Sequence, residues 1–274
     1  MKFEKIYHAP AFPDAYIEFY AHECHNELQI GKRKTIIVCP GGGYGWLSER
    51  EAEPIALRYF SAGLNVAVLR YSVKEKAVNC APLIESCLAI KYLRDHAEEL
   101  QVDEKYVYIT GFSAGGHLAA WTGTMWHCPE VAAHLDGADQ TVCKPTATLP
   151  CYPVITSDTN HSHSGSIMTL NGWVNDERIE YFSLEKHVDE RTAPAFLWHT
   201  AEDTCVPVMN SLLYATALAE NKIPFELHVF PKGPHGLSLC NKETWSNNPA
   251  MVNPYVAVWM DMAIRFVTEC PFEK

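Results

Sequence analysis

Short apolar runs rich in β-branched residues alternate along this chain with longer segments in which apolar residues recur at helical spacing. The strand-like runs are TIIVCP (35–40), LNVAVLRYSV (64–73), YVYIT (106–110), ATLPCYPVI (147–155), APAFLWHT (193–200) and PFELHVFP (224–231). Strands that alternate with helices pair in parallel, because the connecting helix returns the chain to the same end of the sheet. The alternation therefore predicts an α/β fold with a mostly parallel central sheet and helices on both faces.

The helical segments complete this alternation. They lie at 49–63, 82–100, 117–126, 207–222 and 253–269. The rhythm is interrupted at 157–190, which is polar and rich in His and Ser and then becomes acidic. We interpret 157–190 as an insertion over one edge of the sheet. No internal repeat or low-complexity linker divides the sequence, so we expect one domain over 1–274.

Composition excludes several classes of partner. The chain is 47% hydrophobic and 20% charged, which is typical of a soluble globular protein. Its formal net charge is -11 and its largest basic cluster is GKRK at 31–34, whereas nucleic-acid binding needs clustered Lys and Arg. No window approaches the roughly 20 apolar residues of a membrane span, and the first residues lack an apolar stretch of signal-peptide length. We expect a cytoplasmic protein that binds neither nucleic acid nor membrane; homo-oligomerisation stays open.

The ten cysteines are scattered singly, and no C-x-x-C pair occurs. Cys39, Cys87 and Cys151 lie inside apolar runs, where a free thiol behaves as a small hydrophobic group. We therefore expect reduced thiols rather than a disulfide framework. The sequence leaves open whether any of them pair.

The stretch GFSAGG (111–116) carries the first chemical signal. It fits G-x-S-x-G around Ser113, directly after the predicted strand YVYIT and before a helix. In an open α/β sheet ligands bind at the carboxyl ends of the strands, and Ser113 lies at such an end. The alternative is a glycine-rich turn without chemistry. The strand–turn–helix context favours a nucleophilic serine.

An acid and a histidine follow in the chain order Ser, Asp, His that this architecture requires. Asp203 comes after the strand APAFLWHT, and His235 comes after the strand PFELHVFP in a loop rich in Gly and Pro. The rival acids are Glu202, which would point away from Asp203 in an extended segment, and Asp158, which lies in the insertion. The sequence thus predicts a Ser113–His235–Asp203 triad. Two other histidines, His117 and His199, are interpreted as structural.

The glycine run in PGGGYGW (40–46) follows the strand TIIVCP at its carboxyl end. Together with the N–H of Ala114, the N–H groups of Gly42 and Gly43 are predicted to bind the oxyanion of a tetrahedral intermediate. One alternative is a flexible turn. Another is a Rossmann phosphate loop, but its G-x-G-x-x-G pattern fails because Trp46 stands at the last glycine position.

Three aromatic residues are predicted near the mouth of the site. Tyr44 and Trp46 follow the glycine run, and Trp173 lies in the insertion, which we expect above the site; such rings stack on sugar or acyl groups but also serve as packing anchors. His161 and His163 have the i, i+2 spacing of metal ligands, but no nearby Cys or carboxylate completes a set. We therefore expect neither a metal nor a cofactor.

Taken with these residues, the chain resembles the α/β-hydrolase superfamily, in particular its bacterial carbohydrate-esterase-like branch of acetyl xylan and feruloyl esterases. The resemblance spans roughly residues 15–268 and rests on PGGGY, GFSAGGHLA, CYPVIT, FLWHTAEDTCVP, NSLLYATAL and FELHVFPKGPHGLSL. It implies the α/β-hydrolase fold, Ser113 as nucleophile, His235 as general base and acid, and Asp203 as the residue that orients the histidine. Related lipases and esterases carry HGGG where this chain has PGGG (40–43), so which two glycines donate stays open.

These observations predict a serine esterase that hydrolyses small acyl esters, above all acetyl esters of sugars or xylo-oligosaccharides, through an acyl-enzyme. An arylformamidase or a small peptidase on the same fold is the alternative within catalysis. A non-catalytic binding protein is the third hypothesis, and the intact triad pattern argues against it. Fold alone does not identify the substrate, because this architecture hosts many chemistries.

Overall fold

The central sheet is mostly parallel, which confirms the fold class that the alternation predicted. The computed structural model describes residues 1–23 and 25–269. Within them the sheet has the order β1-β2-β4-β3-β5-β6-β7-β8. Its strands are β1 (Lys2–Ile6), β2 (Tyr16–Ala21), β3 (Arg33–Cys39), β4 (Asn65–Arg70), β5 (Val102–Phe112), β6 (Thr148–Cys151), β7 (Ala195–Thr200) and β8 (Phe225–Phe230).

Helices connect the strands and cover the sheet. They are α1 (Glu53–Ser61), α2 (Ala81–Asp95), α3 (Ala97–Leu100), α4 (Ala114–Met125), α5 (Pro129–Ala132), α6 (Ser164–Leu170), α7 (Met209–Glu220), α8 (Pro254–Ala257) and α9 (Trp259–Glu269). Short 3-10 turns lie at Asn26–Leu28, Glu49–Glu51, Lys74–Lys76, Gln140–Cys143, Glu177–Phe182, Leu184–Lys186 and Pro249–Met251. The helix predicted at 49–63 begins as a 3-10 turn, and the one predicted at 82–100 divides at His96.

Strands β1 and β2 were not predicted. They pair antiparallel with each other, and β2 pairs antiparallel with β4, so they extend one edge of the sheet. Four of the five residues of β1 are exposed, and three of the five in its sequence KFEKI are charged. This strand therefore has no continuous apolar run, which is the pattern of the buried parallel strands.

The parallel part of the sheet brings four loops to one edge. The chain leaves β3 at Pro40, β5 at Ser113, β7 shortly before Asp203 and β8 shortly before His235. Because parallel strands end on the same side, all four loops lie at the carboxyl edge. Helix α4 follows Ser113 directly, and all its residues are buried. The turn at Ser113 is therefore anchored to the hydrophobic core through this helix.

The segment 157–190 carries α6 and two 3-10 turns, and its interpretation as an insertion over the edge of the sheet stays a prediction. It contacts the buried helix α4, since the carbonyl of Phe182 lies 3.1 Å from Nε2 of His117. None of the helices in residues 1–23 and 25–269 combines the length and apolar composition needed to cross a lipid bilayer.

Candidate active site

The turn at Ser113 is strained and tightly packed. Ser113 has φ 57° and ψ -117°, a conformation in the positive-φ region that L residues rarely adopt. A Cβ added at Gly111 would lie 1.9 Å from the carbonyl oxygen of Gly115, and one added at Gly115 would lie 2.1 Å from that of Cys39. Both positions therefore require glycine, and the G-x-S-x-G pattern is explained by the close approach of β3, β5 and α4.

His235 contacts Ser113 and Asp203 through its two ring nitrogens. Its Nε2 lies 2.8 Å from Oγ of Ser113, and its Nδ1 lies 2.6 Å from Oδ2 of Asp203. The ring of Tyr152 packs edge-on against the imidazole, with centroids 5.2 Å apart. The three residues predicted from their order in the chain are thus joined by two hydrogen bonds, although 122 positions separate Ser113 from His235.

Asp203 is buried and fully engaged. Its Oδ1 accepts hydrogen bonds of 2.9 Å from the N–H groups of both Cys205 and Val206. Its Oδ2 faces His235 and lies 3.4 Å from Nε2 of His199. Burial raises the pKa of Asp203, but the hydrogen bonds from His199 and His235 outweigh it and hold the pKa below its usual value. The carboxylate therefore stays charged where it can orient His235.

The rival acids lie elsewhere. Glu202 is exposed although it precedes the buried Asp203, and the reason is a turn at 201–202 rather than the extended segment that the sequence suggested. Asp158 is exposed in the insertion, and its Oδ1 accepts from the backbone and side-chain nitrogens of Asn160. Neither residue contacts His235 through a bond among the described residues.

Histidines 117 and 199 are both fully buried. His199 contacts Oγ of Ser211 at 2.8 Å and the carbonyl of Val206 at 2.9 Å, so it fixes the loop that carries Asp203. From the sequence His199 was interpreted as structural, and its contact with Asp203 was not predicted. Its position four residues before Asp203 at the end of β7 was the available signal.

The glycine loop lies beside Ser113. A Cβ added at Gly41 would lie 3.2 Å from Cβ of Ser113, and the N–H of Gly41 donates to Oε2 of Glu51 at 3.0 Å. Gly42 has φ +127° and Gly43 has φ +64°. Within the described part of the chain, the N–H groups of Gly42 and Gly43 have no acceptor, and neither has that of Ala114 at the start of α4. The three N–H groups predicted to bind the oxyanion are thus not engaged by another acceptor in this part of the chain.

The prediction that Tyr44 lines the mouth is wrong. Tyr44 is fully buried, and its hydroxyl lies 2.8 Å from Nδ1 of His117. Its backbone has φ 59°, and its carbonyl accepts from the N–H of Lys74, so the turn directs the ring into the core as an anchor for the loop. Trp46 and Trp173 are 60% and 69% exposed, so both rings are accessible to a ligand, and a substrate contact for them stays a prediction.

Histidine 163 belongs to the insertion and lies against the glycine loop. A Cβ at Gly43 would meet its Cε1 at 3.7 Å. Its Nδ1 caps α6 by accepting from the N–H of Ser166, and it lies 2.8 Å from that residue's hydroxyl. His163 is therefore occupied as a helix cap. Among residues 1–23 and 25–269, no three His, Cys, Asp or Glu side chains are grouped so as to hold a metal ion.

Two cavities on the molecule are separate from the triad. One of about 620 Å³ is lined by Lys105, Thr146 and Pro194, near the amino ends of β6 and β7. Another of about 520 Å³ borders the insertion at Leu170 and Phe182. Because ligands of open α/β sheets bind at the carboxyl ends of strands, the position of the triad, and not the size of a cavity, identifies the candidate site.

Comparison with known proteins relates the chain to esterases and to a xylanase. The model of the BD-FAE family matches residues 25–218. Endo-1,4-beta-xylanase B of Butyrivibrio fibrisolvens is 38% identical over 226 residues, which cover 78% of this chain and 34% of that protein. The acetylxylan esterase of Xylanibacter ruminicola is 27% identical over 209 residues, which cover 74% of this chain and 41% of that protein. The chain thus spans less than half the length of these two relatives.

A solved structure matches nearly the whole chain. The acetyl ester-xyloside bifunctional hydrolase of Caldicellulosiruptor lactoaceticus is 33% identical with a TM-score of 0.81, and the match covers 99% of this chain and 97% of that one. The mostly parallel sheet and the covering helices agree with this likeness. Since the family model matches more than half of the chain, the chain belongs to the BD-FAE family, and its fold is that of the α/β hydrolases.

Proposed function

We propose that this protein is a serine esterase that hydrolyses small acyl esters, above all acetyl esters of sugars or xylo-oligosaccharides. The observation that carries the proposal is the pair of hydrogen bonds from His235, 2.8 Å to Ser113 and 2.6 Å to Asp203. A serine hydroxyl is a weak nucleophile until a base accepts its proton, and this arrangement supplies that base and a carboxylate to orient it.

In the proposed mechanism, Oγ of Ser113 attacks the ester carbonyl while Nε2 of His235 accepts the serine proton. Asp203 stabilises the imidazolium that forms, and it remains ionised throughout. Ala114, with Gly42 and Gly43, donates N–H groups to the oxyanion. His235 then protonates the leaving alcohol, which departs and leaves an acyl-enzyme. A water molecule, deprotonated by His235, attacks the acyl carbon and releases the acid and the free serine.

The sugar-ester part of the proposal rests on the relatives. One is an acetylxylan esterase, another is a xylanase, and the matching solved structure is an acetyl ester-xyloside hydrolase. All three names concern xylan or its acetyl esters or xylosides. The exposed rings of Trp46 and Trp173 are the residues we propose for contact with a sugar, since aromatic faces pack well on its apolar C–H surface.

The test compares the protein with Ser113→Ala on p-nitrophenyl acetate and octanoate. We expect faster turnover of the acetate and a loss of at least ~10³-fold in kcat/KM for the variant. A parallel series with acetylated xylose, formylkynurenine and a proline anilide separates the esterase from an arylformamidase or a peptidase. Equal activity of Ser113→Ala and the parent protein would refute the triad. Absence of turnover on every acyl compound, together with no labelling by a fluorophosphonate, would favour a binding protein.

A further inference from the structure

Glu51 is a buried carboxylate between two loops of the candidate site. It is only 3% exposed, and its two oxygens have different partners. Oε2 accepts the N–H of Gly41 at 3.0 Å, and Oε1 accepts the hydroxyl of Tyr152 at 2.7 Å. A buried carboxylate is costly unless its oxygens are satisfied, so this placement needs an explanation.

Tyr152 continues the connection toward the histidine. Its hydroxyl accepts the N–H of Ser238 at 3.0 Å, and its ring packs edge-on against His235. Burial, together with the nearby charge of Glu51, raises the pKa of Tyr152 well above its ordinary value. The hydroxyl therefore keeps its proton and can donate to Glu51 while it accepts from Ser238.

The neighbouring Arg50 strengthens the same connection. Its carbonyl accepts the hydroxyl of Ser238 at 2.6 Å, and its guanidinium donates to the carbonyls of Gly236 and Thr244. The turn Glu49–Glu51 thus contacts the glycine loop on one side and the loop of His235 on the other. These contacts join residues that are more than a hundred positions apart in the sequence.

We propose that Glu51 is a positioning residue that fixes the oxyanion donors relative to His235. The proposal rests on the proposed esterase function. Because Glu51 occupies the N–H of Gly41, the loop is held with the next two N–H groups, of Gly42 and Gly43, available for the oxyanion. Such donors act at 2.7–3.1 Å, and a displacement of about 1 Å costs on the order of 10²-fold in rate.

The chemistry of the position requires a carboxylate. Both neighbours of Glu51 donate, and a carboxylate offers two acceptor oxygens and no donor. Glutamine has nearly the same shape but only one acceptor, so its NH₂ would face either the Gly41 N–H or the Tyr152 hydroxyl. In the second case the hydroxyl hydrogen of Tyr152 would lose its acceptor and would have to point away from position 51, while the oxygen still accepts from the N–H of Ser238. Glu51→Gln therefore loosens one loop or the other without removing volume.

The experiment measures Glu51→Gln, Tyr152→Phe and the double variant, with Glu49→Gln as the matched control. The Glu49 side chain is 74% exposed and binds Arg70 at the surface. Active sites are counted by labelling with a fluorophosphonate, and kcat and KM for p-nitrophenyl acetate are expressed per labelled site. For Glu51→Gln we expect kcat to fall about 10- to 100-fold, with KM within threefold and Glu49→Gln unchanged.

Tyr152→Phe keeps the ring against His235 and removes both hydroxyl contacts. We expect a smaller fall in kcat and a shifted pH profile of kcat/KM, because the loop of His235 loses the bond at Ser238. The double variant should lose less than the product of the two single effects, since both substitutions break one chain of hydrogen bonds. A purely structural role would move the melting temperature and not this coupling.

Each outcome decides the proposal. Normal kcat per labelled site in Glu51→Gln, with only a lower melting temperature, would overturn it. If Glu51→Gln does not fold, Tyr152→Phe serves as the test, and an unchanged kcat and pH profile there would overturn it as well. If the parent protein neither hydrolyses esters nor reacts with the fluorophosphonate, the esterase function fails, and the positioning role fails with it. If the parent protein and all the variants are fully active, the positioning role is refuted and the esterase function stands.

Discussion

The floor and the rim of the candidate site are built differently. The floor consists of Ser113, Asp203, His235 and the glycine loop 40–46, and the rim is the segment 157–190. Ser113 and Asp203 are 8% and 5% exposed at the ends of buried strands, whereas Trp173 of the rim is 69% exposed on a chain of short turns. Sheet topology and close packing thus fix the floor, whereas the rim packs into the core through side chains such as Leu184 and presents others such as Trp173 to solvent. We expect the floor to determine the rate of the chemical step and the rim to determine which alcohol portion of an ester is preferred.

The largest effect that separates floor from rim is expected at Gly42. A Cβ there would lie 2.0 Å from the carbonyl oxygen of Trp46, and the φ of +127° suits only glycine. Gly42→Ala should displace the oxyanion loop and lower kcat on p-nitrophenyl acetate about 10²-fold. The control is Gly31→Ala, whose added Cβ would meet nothing within 4 Å. Full activity of Gly42→Ala would contradict the proposal that this loop binds the oxyanion.

The floor was largely predictable from the sequence, because each of its residues follows a strand and parallel strands end together. Ser113, Asp203 and His235 could be selected by the G-x-S-x-G motif, by their order and by their positions after strands. The packing around the serine explains why the residues two positions before and after it are glycines. The strand boundaries were recovered to within a few residues for the buried strands. The edge strand β1 was missed because exposed strands lack a continuous apolar run.

Tyr44 and Glu51 mark where sequence reasoning fails. A tyrosine beside a glycine loop has the composition of a ligand contact, but its positive φ turns it inward onto His117, and no local pattern reveals that. Glu51 lies in a charged stretch, SERE, that suggests a solvated helix start. Its burial depends on Tyr152, 101 positions away, and such a partner is determined only by the tertiary fold.

The second prediction concerns the pH dependence of stability and the contact through which α4 binds the rim. His117 of α4 is fully buried and contacts the carbonyl of Phe182 in the rim, and burial lowers its pKa to about 4. At pH 7.5 and above the ring is almost entirely neutral in both the folded and the unfolded state. As the pH falls from 6.5 toward 4, the unfolded chain gains a proton that the folded chain does not bind. The free energy of unfolding should therefore decrease, by about 2 kcal/mol at pH 5 from this group.

Urea unfolding of the parent protein and His117→Gln at pH 7.5 and pH 5 measures this effect. The difference between the two pH values should be about 2 kcal/mol smaller in His117→Gln, and unaltered in His25→Gln, whose side chain is 64% exposed. If the free energy of unfolding depended on pH identically in the parent protein and in His117→Gln, then His117 would bind its proton equally well in the folded and the unfolded state. That result would contradict the prediction that the buried ring stays neutral at pH 5.

The smallest effect is expected at the rim itself. Trp173→Ala should raise KM for an acetylated xylo-oligosaccharide about threefold to tenfold, because the ring offers a face for stacking, and leave p-nitrophenyl acetate unchanged. Tyr7→Ala serves as control, since Tyr7 is 64% exposed beside the edge strand β1. Steady-state rates on both substrates decide. Equal changes in KM for the two esters would mean that Trp173 affects the chemical step and not recognition of the sugar. An unchanged KM for both would mean that Trp173 does not contact the substrate.

The central claim is that Ser113 carries the acyl group, and intact-protein mass spectrometry tests it most directly. The protein is mixed with p-nitrophenyl acetate, quenched in acid within the first turnovers, and digested to locate the label. We predict one acetyl group per chain, on the peptide that contains Ser113, and none on Ser113→Ala. An acetyl group on another residue, or undiminished turnover by Ser113→Ala, would contradict the account.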